Sequence, residues 1–238
     1  GSPEKYEIMG QFVETIDGIS QACKYLDFPV VSGNVSFYNE TQSKAIPPTP
    51  TIGGVGLIKN LDYMMTINLK EIGSYILVVG KTLGHLWQSE FFREVLEIKD
   101  GPPPEINLFN EKNNGLIVQK LISKKLVNSV HDISSGGILV ALTEMCVSGK
   151  IGAKVKIPHN NIDSHEYLFG EDQSRYLIEI SEKNKEKAIN ILQKNSIYYE
   201  AIGITQKDSL DLDNEFKINL TDLNEWRSFW FKNYFKEN

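Results

Sequence analysis

The residues best suited to chemistry lie in a short loop, Ser32-Gly33-Asn34-Val35-Ser36, directly after the β-branched run Pro29-Val30-Val31. Gly33 lets the backbone approach a ligand closely. Asn34 offers a neutral carbonyl oxygen of the kind that coordinates Mg²⁺, and Ser36 offers a hydroxyl that can donate or accept a hydrogen bond. The same residue types are common in Asx-type turns, and the loop taken alone favours that structural interpretation.

Two later stretches carry polar side chains that could also face a ligand. Residues 131–137 read HDISSGG, and a helix beginning at the two glycines would present free N–H groups that suit a phosphate. The alternative is an ordinary capped helix start, with Asp132 or Ser134 as the cap. Residues 168–175 read LFGEDQSR; Arg175 could contact a phosphate, although a structural salt bridge is the favoured interpretation.

Several common active-site patterns are absent from the sequence. His85, His159 and His165 have no metal-ligand spacing with one another or with a cysteine, so each is interpreted as a surface residue. No Ser-His-Asp set or nucleophilic cysteine can be assembled. The sequence also lacks a GxxxxGK(S/T) motif, which excludes a P-loop as the means of binding ATP.

The elements that must position these residues are predicted from hydrophobic periodicity. The predicted helices cover about 7–26, 86–96, 116–122, 183–195, a segment starting at Gly136-Gly137 and a short one capped by Thr221. The predicted strands cover about 29–31, 51–58, 63–67, 75–80, 127–130, 153–157, 176–180 and 198–204. Alternation of strands and helices indicates an α/β (α+β) fold. A polar turn at 70–74 predicts two domains, 1–70 and 71–238.

Composition excludes some classes of partner. The 25 Lys and Arg against 31 Asp and Glu give a net charge of −6, which argues against a nucleic acid or an anionic membrane as the partner. The longest apolar run, 75–79, is too short to span a bilayer, and no signal peptide is visible. Cys23 and Cys146 fall on predicted apolar helix faces, and two buried free thiols suit a reducing cytoplasm.

Three stretches together give a resemblance to a known family. Residues 28–58, FPVVSGNVSFYNETQSKAIPPTPTIGGVGLI, with HDISSGG and LFGEDQSR in the same order, closely resemble the second half of phosphoribosylformylglycinamidine synthase subunit II. The resemblance extends from Pro3 to about Thr205. It departs at residues 86–91, where relatives read LGGSEY and this chain reads LWQSEF, and at Ser135, where relatives have an acidic residue. Trp87 is interpreted as a packing residue.

The resemblance implies a fold, an activity and a set of site residues. The fold would be two domains like those of aminoimidazole ribonucleotide synthetase, the first pairing its sheet with a matching sheet to build a barrel. The activity would be an ATP-dependent C–N ligase of purine biosynthesis, which converts formylglycinamide ribonucleotide, ATP and ammonia into formylglycinamidine ribonucleotide, ADP and phosphate. By the same resemblance Gly33 would contact nucleotide, Asn34 would bind Mg²⁺ and Ser36 would contact substrate.

The resemblance also sets expectations for the remaining residues and for partners. Asp132, Glu171, Gln173 and Arg175 would either line a degenerate second nucleotide site or hold the two domains together. The chain begins Gly-Ser-Pro without an initiator Met, so we expect an N-terminal half to be missing and with it the catalytic residues. The expected partners are that half, a glutaminase subunit and a small third subunit. The chain alone would be inactive and would dimerise through strand faces around Val55 and Leu57.

Two alternatives remain open from the sequence. This half could be a scaffold that docks the other subunits and contributes little chemistry. It could also belong to another enzyme of the same superfold, such as a selenophosphate synthetase or a thiamine phosphate kinase. The GNVSFYNE stretch argues against the second alternative, because those families use different motifs.

Overall fold

A computed structural model describes residues 1–158, 161–213 and 215–236, with the side chain of Trp230 left out. His159, interpreted above as a surface residue, lies outside the described residues. The chain divides into two compact units, Gly1–Leu57 and Ile58–Asn238. Within the described residues, none of the helices combines the length and apolar character that crossing a bilayer requires.

The first unit is built on one long helix, α1 (Tyr6–Leu26), which ends where Asp27 adopts a left-handed conformation. The other regular element is a small antiparallel hairpin, β1 (Glu40–Thr41) and β2 (Lys44–Ala45). An ion pair of 3.2 Å between Lys5 Nζ and Glu40 Oε1 joins the helix start to the hairpin. The predicted helix over 7–26 is therefore confirmed.

The predicted strands over 29–31 and 51–58 are wrong. All residues of both segments are described, and none of them forms a ladder. β-Branched residues favour extended backbone, yet a strand requires a neighbour that accepts and donates its backbone hydrogen bonds. The apolar side chains here stay exposed; Val55 is 92% exposed and Leu57 is 91% exposed. Helix α1 likewise has no buried residue.

The second unit contains a seven-stranded sheet. Its strands in chain order are β3 (Tyr75–Val79), β4 (Ser129–Asp132), β5 (Gly152–Val155), β6 (Tyr176–Ile180), β7 (Tyr199–Gln206), β8 (Ser209–Leu212) and β9 (Phe216–Asn219). Across the sheet the order is β4-β6-β3-β7-β5-β8-β9. All neighbouring pairs are antiparallel except β5 with β8.

Helices cover both faces of this sheet. They are α2 (Leu108–Ser123), α3 (Gly137–Gly149), α4 (Ser164–Phe169), α5 (Glu182–Lys194) and α6 (Leu220–Tyr234). The central strand β3 sends Ile76 and Val78 into one core, shared with α3 and α4, and Leu77 and Val79 into a second core, shared with α2 and α5. A strand buried on both faces reads as a continuous apolar run, as Tyr75–Val79 does.

Three predictions in the second unit need correction. Residues 63–67 form no strand. Tyr63 instead ends a short 3₁₀ turn, Leu61–Tyr63, in which Asn60 Oδ1 accepts a hydrogen bond from the Asp62 N–H at 2.9 Å. The predicted helix over 86–96 shrinks to a π-helical turn, Phe91–Val95, because Gln88 has a positive φ of 62°. Helix α6 begins at Leu220 with Asn219 as its N-cap, not at a Thr221 cap.

The remaining elements agree with the predictions to within a few residues, with two exceptions. Helix α2 begins at Leu108, eight residues before the predicted start at 116, and α4, β8 and β9 were not predicted. Leu69 lies in the core of the second unit, and its N–H donates to the Met145 carbonyl at 3.3 Å. The division between the compact units thus precedes the predicted domain boundary at 70–71. That boundary stays a prediction.

Candidate functional site

The 32–36 loop of the first unit is open and polar. The Asn34 amide nitrogen donates to Ser36 Oγ at 3.5 Å, and the Asn39 amide donates to the Ser36 carbonyl at 3.3 Å. A Cβ added to Gly33 would meet nothing within 4 Å, and Gly33 does not adopt a positive φ. Gly33 therefore contributes space, not an unusual conformation. These contacts leave the Asn34 Oδ1 oxygen without a described partner, whereas the Ser36 hydroxyl accepts from the Asn34 amide and keeps its own proton to donate.

The Asn34 Oδ1 oxygen fits Mg²⁺ as one member of a ligand set. Mg²⁺ prefers six oxygen ligands and is commonly held by one or two protein groups together with waters and substrate phosphates. The Asn34 amide supplies one such ligand, and the 32–36 loop contains no carboxylate. This loop could therefore share a magnesium ion with a phosphate, but it could not hold the ion by itself.

In the second unit, the carboxylate of Asp172 organises the turn that follows β3. Asp172 Oδ2 accepts hydrogen bonds from the N–H groups of Leu83 and Gly84, both at 2.9 Å, and Oδ1 accepts one from His85 at 3.2 Å. The carboxylate is buried. Three backbone donors around one buried anion fix the conformation of the turn.

Arg175 is the cationic partner of Asp172 and is only 2% exposed. Its guanidinium donates to the carbonyls of Asp172 and Gly170, at 3.1 and 2.6 Å, and to the Thr82 hydroxyl at 3.2 Å. Burial lowers the pKa of Arg175, against the opposing effect of the nearby Asp172 charge. An ion pair of 3.8 Å joins it to Asp172, as the favoured interpretation predicted.

Glu171 links the HDISSGG and LFGEDQSR stretches. Its Oε1 accepts from the N–H of Gly136, which precedes α3, and from the N–H of Glu90, both at 2.8 Å. Gly137 has a φ of 69°, and a Cβ there would lie 2.7 Å from the Leu168 carbonyl oxygen. Only glycine permits that close approach. The free N–H groups that could have met a phosphate at this helix start are therefore partly taken by Glu171.

His131 and Asp132 lie at the end of β4. His131 Nε2 is 2.9 Å from Glu144 Oε2, and Nδ1 is 3.2 Å from Asp132 Oδ1, so the ring is held between two carboxylates. The Asp132 carboxylate is largely exposed. Asp132 does not cap α3, because the residue at the N-cap position is Gly136 in a left-handed conformation.

A cleft of about 570 Å³ opens beside the Asp172 turn. Its wall includes Gln173, which is exposed, together with the aromatic rings of Trp87 and Phe92. Other lining residues are Lys81, Leu83, Gly84, His85, Leu86, Pro104, Glu105, Asn107, Asn110, Asn114, Glu166, Asp172 and Ser174. A cleft of this volume is large enough for a small organic ligand.

Asp163, His165 and Glu166 form the candidate metal cluster found among the described residues, with ligand atoms within 4.8 Å of one another. The two carboxylates already form a reciprocal capping box at the start of α4, and a capping box explains the cluster without an ion. His165 itself is exposed, as the sequence predicted.

The structure thus brings together Glu171 and Arg175 around one turn, with Gln173 beside them in the cleft wall. Asp132 belongs to a separate cluster with His131 and Glu144. Sequence analysis missed Asp172 as the organising residue, although the quoted LFGEDQSR stretch contains it. It also missed Glu144, which is 13 positions from His131 and carries no local signal.

Comparison with known proteins shows matches to one family along most of the chain. Residues 71–212 match the family described as AIR synthase related protein, C-terminal domain, and residues 1–58 match the corresponding N-terminal domain. The phosphoribosylformylglycinamidine synthase subunit PurL of Pelagibacter ubique is 54% identical over 234 residues, 98% of this chain. The PurL of Methylocella silvestris is 45% identical over 237 residues. The chain spans 32% of the length of each relative.

Solved structures agree on the fold. Thermotoga maritima PurL complexed with FGAR aligns with a TM-score of 0.56 and 19% identity, covering 68% of this chain and 30% of that one. The complex of the same protein with ATP aligns with a TM-score of 0.54 and 18% identity, covering 68% of this chain and 27% of that one. At this level of identity the likeness concerns the fold alone.

Proposed function

The chain belongs to the AIR synthase related family, and from that premise we propose that it performs the role of the matching segment of a PurL-type phosphoribosylformylglycinamidine synthase subunit. The observation that carries the proposal is the 54% identity to the Pelagibacter ubique subunit across 98% of the chain. In the proposed whole protein, formylglycinamide ribonucleotide, ATP and ammonia become formylglycinamidine ribonucleotide, ADP and phosphate. The chain would contribute binding residues to this ligase and no catalytic side chain.

Within this proposal the 32–36 loop meets the nucleotide. Gly33 provides room for the backbone to approach a phosphate, Asn34 Oδ1 binds Mg²⁺ and the Ser36 hydroxyl contacts substrate. Mg²⁺, when bound, would neutralise phosphate charge. The open loop, the unengaged Asn34 Oδ1 oxygen and the proton that the Ser36 hydroxyl can still donate support these assignments. Asp132, Glu171, Gln173 and Arg175 are assigned to a second site or to holding the domains together. The hydrogen bonds of Glu171 and Arg175 lie within the second unit, so they support a structural role inside that unit.

The proposal includes partners and a location. A solved Thermotoga maritima assembly named PurLQS contains a structural neighbour of this chain. We accordingly propose association with the rest of a PurL-type subunit, with a glutaminase subunit and with a small third subunit. A cytoplasmic location fits the free thiols of Cys23 and Cys146, since disulfides are rare in that compartment.

A chimera tests the proposed activity. The matching 234 residues of the Pelagibacter ubique subunit are replaced by this chain, and amidine formation is measured with saturating ATP, Mg²⁺ and ammonium. Activity within about tenfold of the parent subunit would support the proposal. A folded chimera without activity would contradict it. The matched control is the same exchange with the homologous segment from Methylocella silvestris.

A scaffold role is the second candidate, and the inward hydrogen bonds of Asp172 and Arg175 favour it for the second unit. The chimera distinguishes the two candidates when Asn34 and Ser36 are both changed to Ala. A loss of at least tenfold in kcat/KM would place this loop in the working site. Unchanged activity would leave the chain as a scaffold.

A further inference from the structure

The residues that directly follow the 32–36 loop are fastened to the start of the chain. The Phe37 ring meets Phe12 of α1 edge-to-face, with 5.0 Å between the ring centroids. The Tyr38 N–H donates a hydrogen bond to the Gly1 carbonyl at 2.9 Å. An aromatic contact and a backbone hydrogen bond therefore hold the chain immediately after the loop.

Glu40 is a third anchor in the same segment. Its Oε1 oxygen accepts hydrogen bonds from the Ser2 N–H and from Lys5 Nζ, both at 3.2 Å. Hydrogen bonds to an ionised carboxylate are stronger than those between neutral groups. Glu40 is the first residue of β1, so its carboxylate ties the hairpin to the residues that precede α1.

Between these anchors, Tyr38 has an unusual backbone conformation. Its φ is 59°, in the left-handed region, which a bulky side chain rarely adopts unless the surrounding contacts fix it. The Tyr38 side chain is 62% exposed, so burial of the ring does not explain the conformation. Its hydroxyl donates to Glu4 Oε1 at 3.4 Å. The left-handed turn sets the direction in which the chain leaves the loop.

The side chains assigned to the site have no such anchors of their own. The Asn34 amide donates to Ser36 Oγ, and the Asn39 amide donates to the Ser36 carbonyl. Both hydrogen bonds join residues of the same short segment, and neither reaches α1. The orientation of Asn34 and Ser36 relative to the first unit therefore depends on the fastened residues that follow them.

We propose that Glu40 and Tyr38 are positioning residues for the 32–36 loop. Glu40 fastens the segment after the loop to the start of the chain, and the left-handed backbone of Tyr38 sets the direction in which Asn34 and Ser36 face. The reaction that the loop serves is the one proposed above, so this role rests on that proposal. The fastening itself is a property of the chain alone and can be measured without any reaction.

Amide hydrogen exchange of the 238-residue chain tests the fastening. Glu40→Gln keeps the size of the side chain and removes its charge. It should raise the exchange rate of the Tyr38 amide by about threefold, because a hydrogen-bonded amide exchanges through local opening, which the anchor opposes. Glu14→Gln is the matched control, since Glu14 is exposed on α1, and it should leave that rate unchanged. An unchanged rate in Glu40→Gln would overturn the proposal.

The chimera described above tests whether the fastening serves the reaction. Tyr38→Gly should keep the KM for formylglycinamide ribonucleotide within about threefold of the parent, because glycine adopts the left-handed conformation freely. Tyr38→Val should raise that KM by about tenfold, because a β-branched residue resists this conformation and the loop is then misplaced. Partial misfolding would lower kcat through a smaller active fraction and leave KM unchanged.

The outcomes separate this proposal from the proposed function. Equal KM values for Tyr38→Gly and Tyr38→Val in an active chimera would overturn the positioning role and leave the function standing. An inactive chimera without these substitutions would contradict the function. The exchange rate of the Tyr38 amide would then decide by itself whether Glu40 fastens the loop.

Discussion

The buried carboxylate of Asp172 gives the sharpest prediction for a single residue. Asp172→Asn keeps the side-chain volume but turns an NH₂ group toward backbone N–H donors and leaves Arg175 without its counterion. Loss of one partner of a buried pair typically costs about 3–5 kcal/mol. We expect the free energy of unfolding of the chain, measured in urea, to fall by an amount in that range.

Asp62→Asn is the control for that substitution. Asp62 pairs with Lys125 at 3.3 Å, but both side chains are largely exposed, and an exposed pair contributes about 0–1 kcal/mol. A similar fall in the free energy of unfolding for Asp172→Asn and Asp62→Asn would show that the buried Asp172 network stabilises the fold no more than an exposed ion pair does.

Cys146 predicts how stability depends on pH. Burial raises the pKa of its thiol from 9.0 to about 12. The folded protein therefore keeps the proton after the unfolded chain has lost it, so this contribution is present below pH 9 and is lost as the pH rises toward 12. Between pH 8 and pH 10 the free energy of unfolding should fall by ~1.4 kcal/mol because of this thiol. Cys146→Ala should flatten that part of the pH profile, and an equally steep profile would contradict the assignment.

Individual site residues could be predicted only in part from the sequence. The ion pair of Arg175 was predictable, because a buried arginine in a polar stretch needs a counterion. Asp172 was not singled out, because its role depends on the N–H groups of residues 83–85, nearly ninety positions away. The roles of Gly33, Asn34 and Ser36 stay predictions, since the loop geometry permits them without requiring them.

At the scale of elements, the predicted strands agree best with the structure where a strand has a neighbouring strand on each side. β3 and β6 match their predicted spans to within one residue, since each has a neighbour on both sides and a face in each core. The equally apolar segments 29–31 and 51–58 have no neighbouring strand in the first unit and form no ladder. The sequence of a segment indicates its preference for extended backbone. It does not indicate whether another strand lies beside that segment, because this depends on the rest of the fold.

This contrast predicts opposite outcomes for two apolar truncations. Leu77 on β3 is fully buried, so Leu77→Ala should lower the free energy of unfolding by about 2–5 kcal/mol. Val55→Ala, at a side chain that is 92% exposed, should change it by less than about 0.5 kcal/mol. Both changes in the free energy of unfolding are to be measured by urea unfolding of the chain at low micromolar concentration. A large effect at Val55 would mean that this segment is buried in solution.

At the scale of the whole molecule, the two compact units differ in how much apolar surface they bury. The second unit has two buried clusters on either side of its sheet, whereas α1 of the first unit has no buried residue. Local stability follows buried apolar contacts. Amide hydrogen exchange should therefore be slowest in β3 and β6 and faster by orders of magnitude in α1. Equal protection of α1 and β3 would contradict this division.

The exposed apolar side chains of the first unit lead to a prediction about association. Val31, Val55 and Leu57 are 89%, 92% and 91% exposed, and apolar segments that form no ladder within one copy can pair with another chain. At tens of micromolar the chain should sediment above the 26.9 kDa of a single copy.

Changing Val55 and Leu57 together to Lys should restore a single-copy mass, because charged side chains block edge-to-edge pairing. The unfolding midpoint at low micromolar concentration should stay unchanged, because both side chains are exposed within one copy. Leu61→Lys serves as the control, since Leu61 is 81% exposed but lies in the second unit. Its effect on association should be small. A chain that remains monomeric throughout this concentration range would show that the segment around Val55 and Leu57 does not pair with itself.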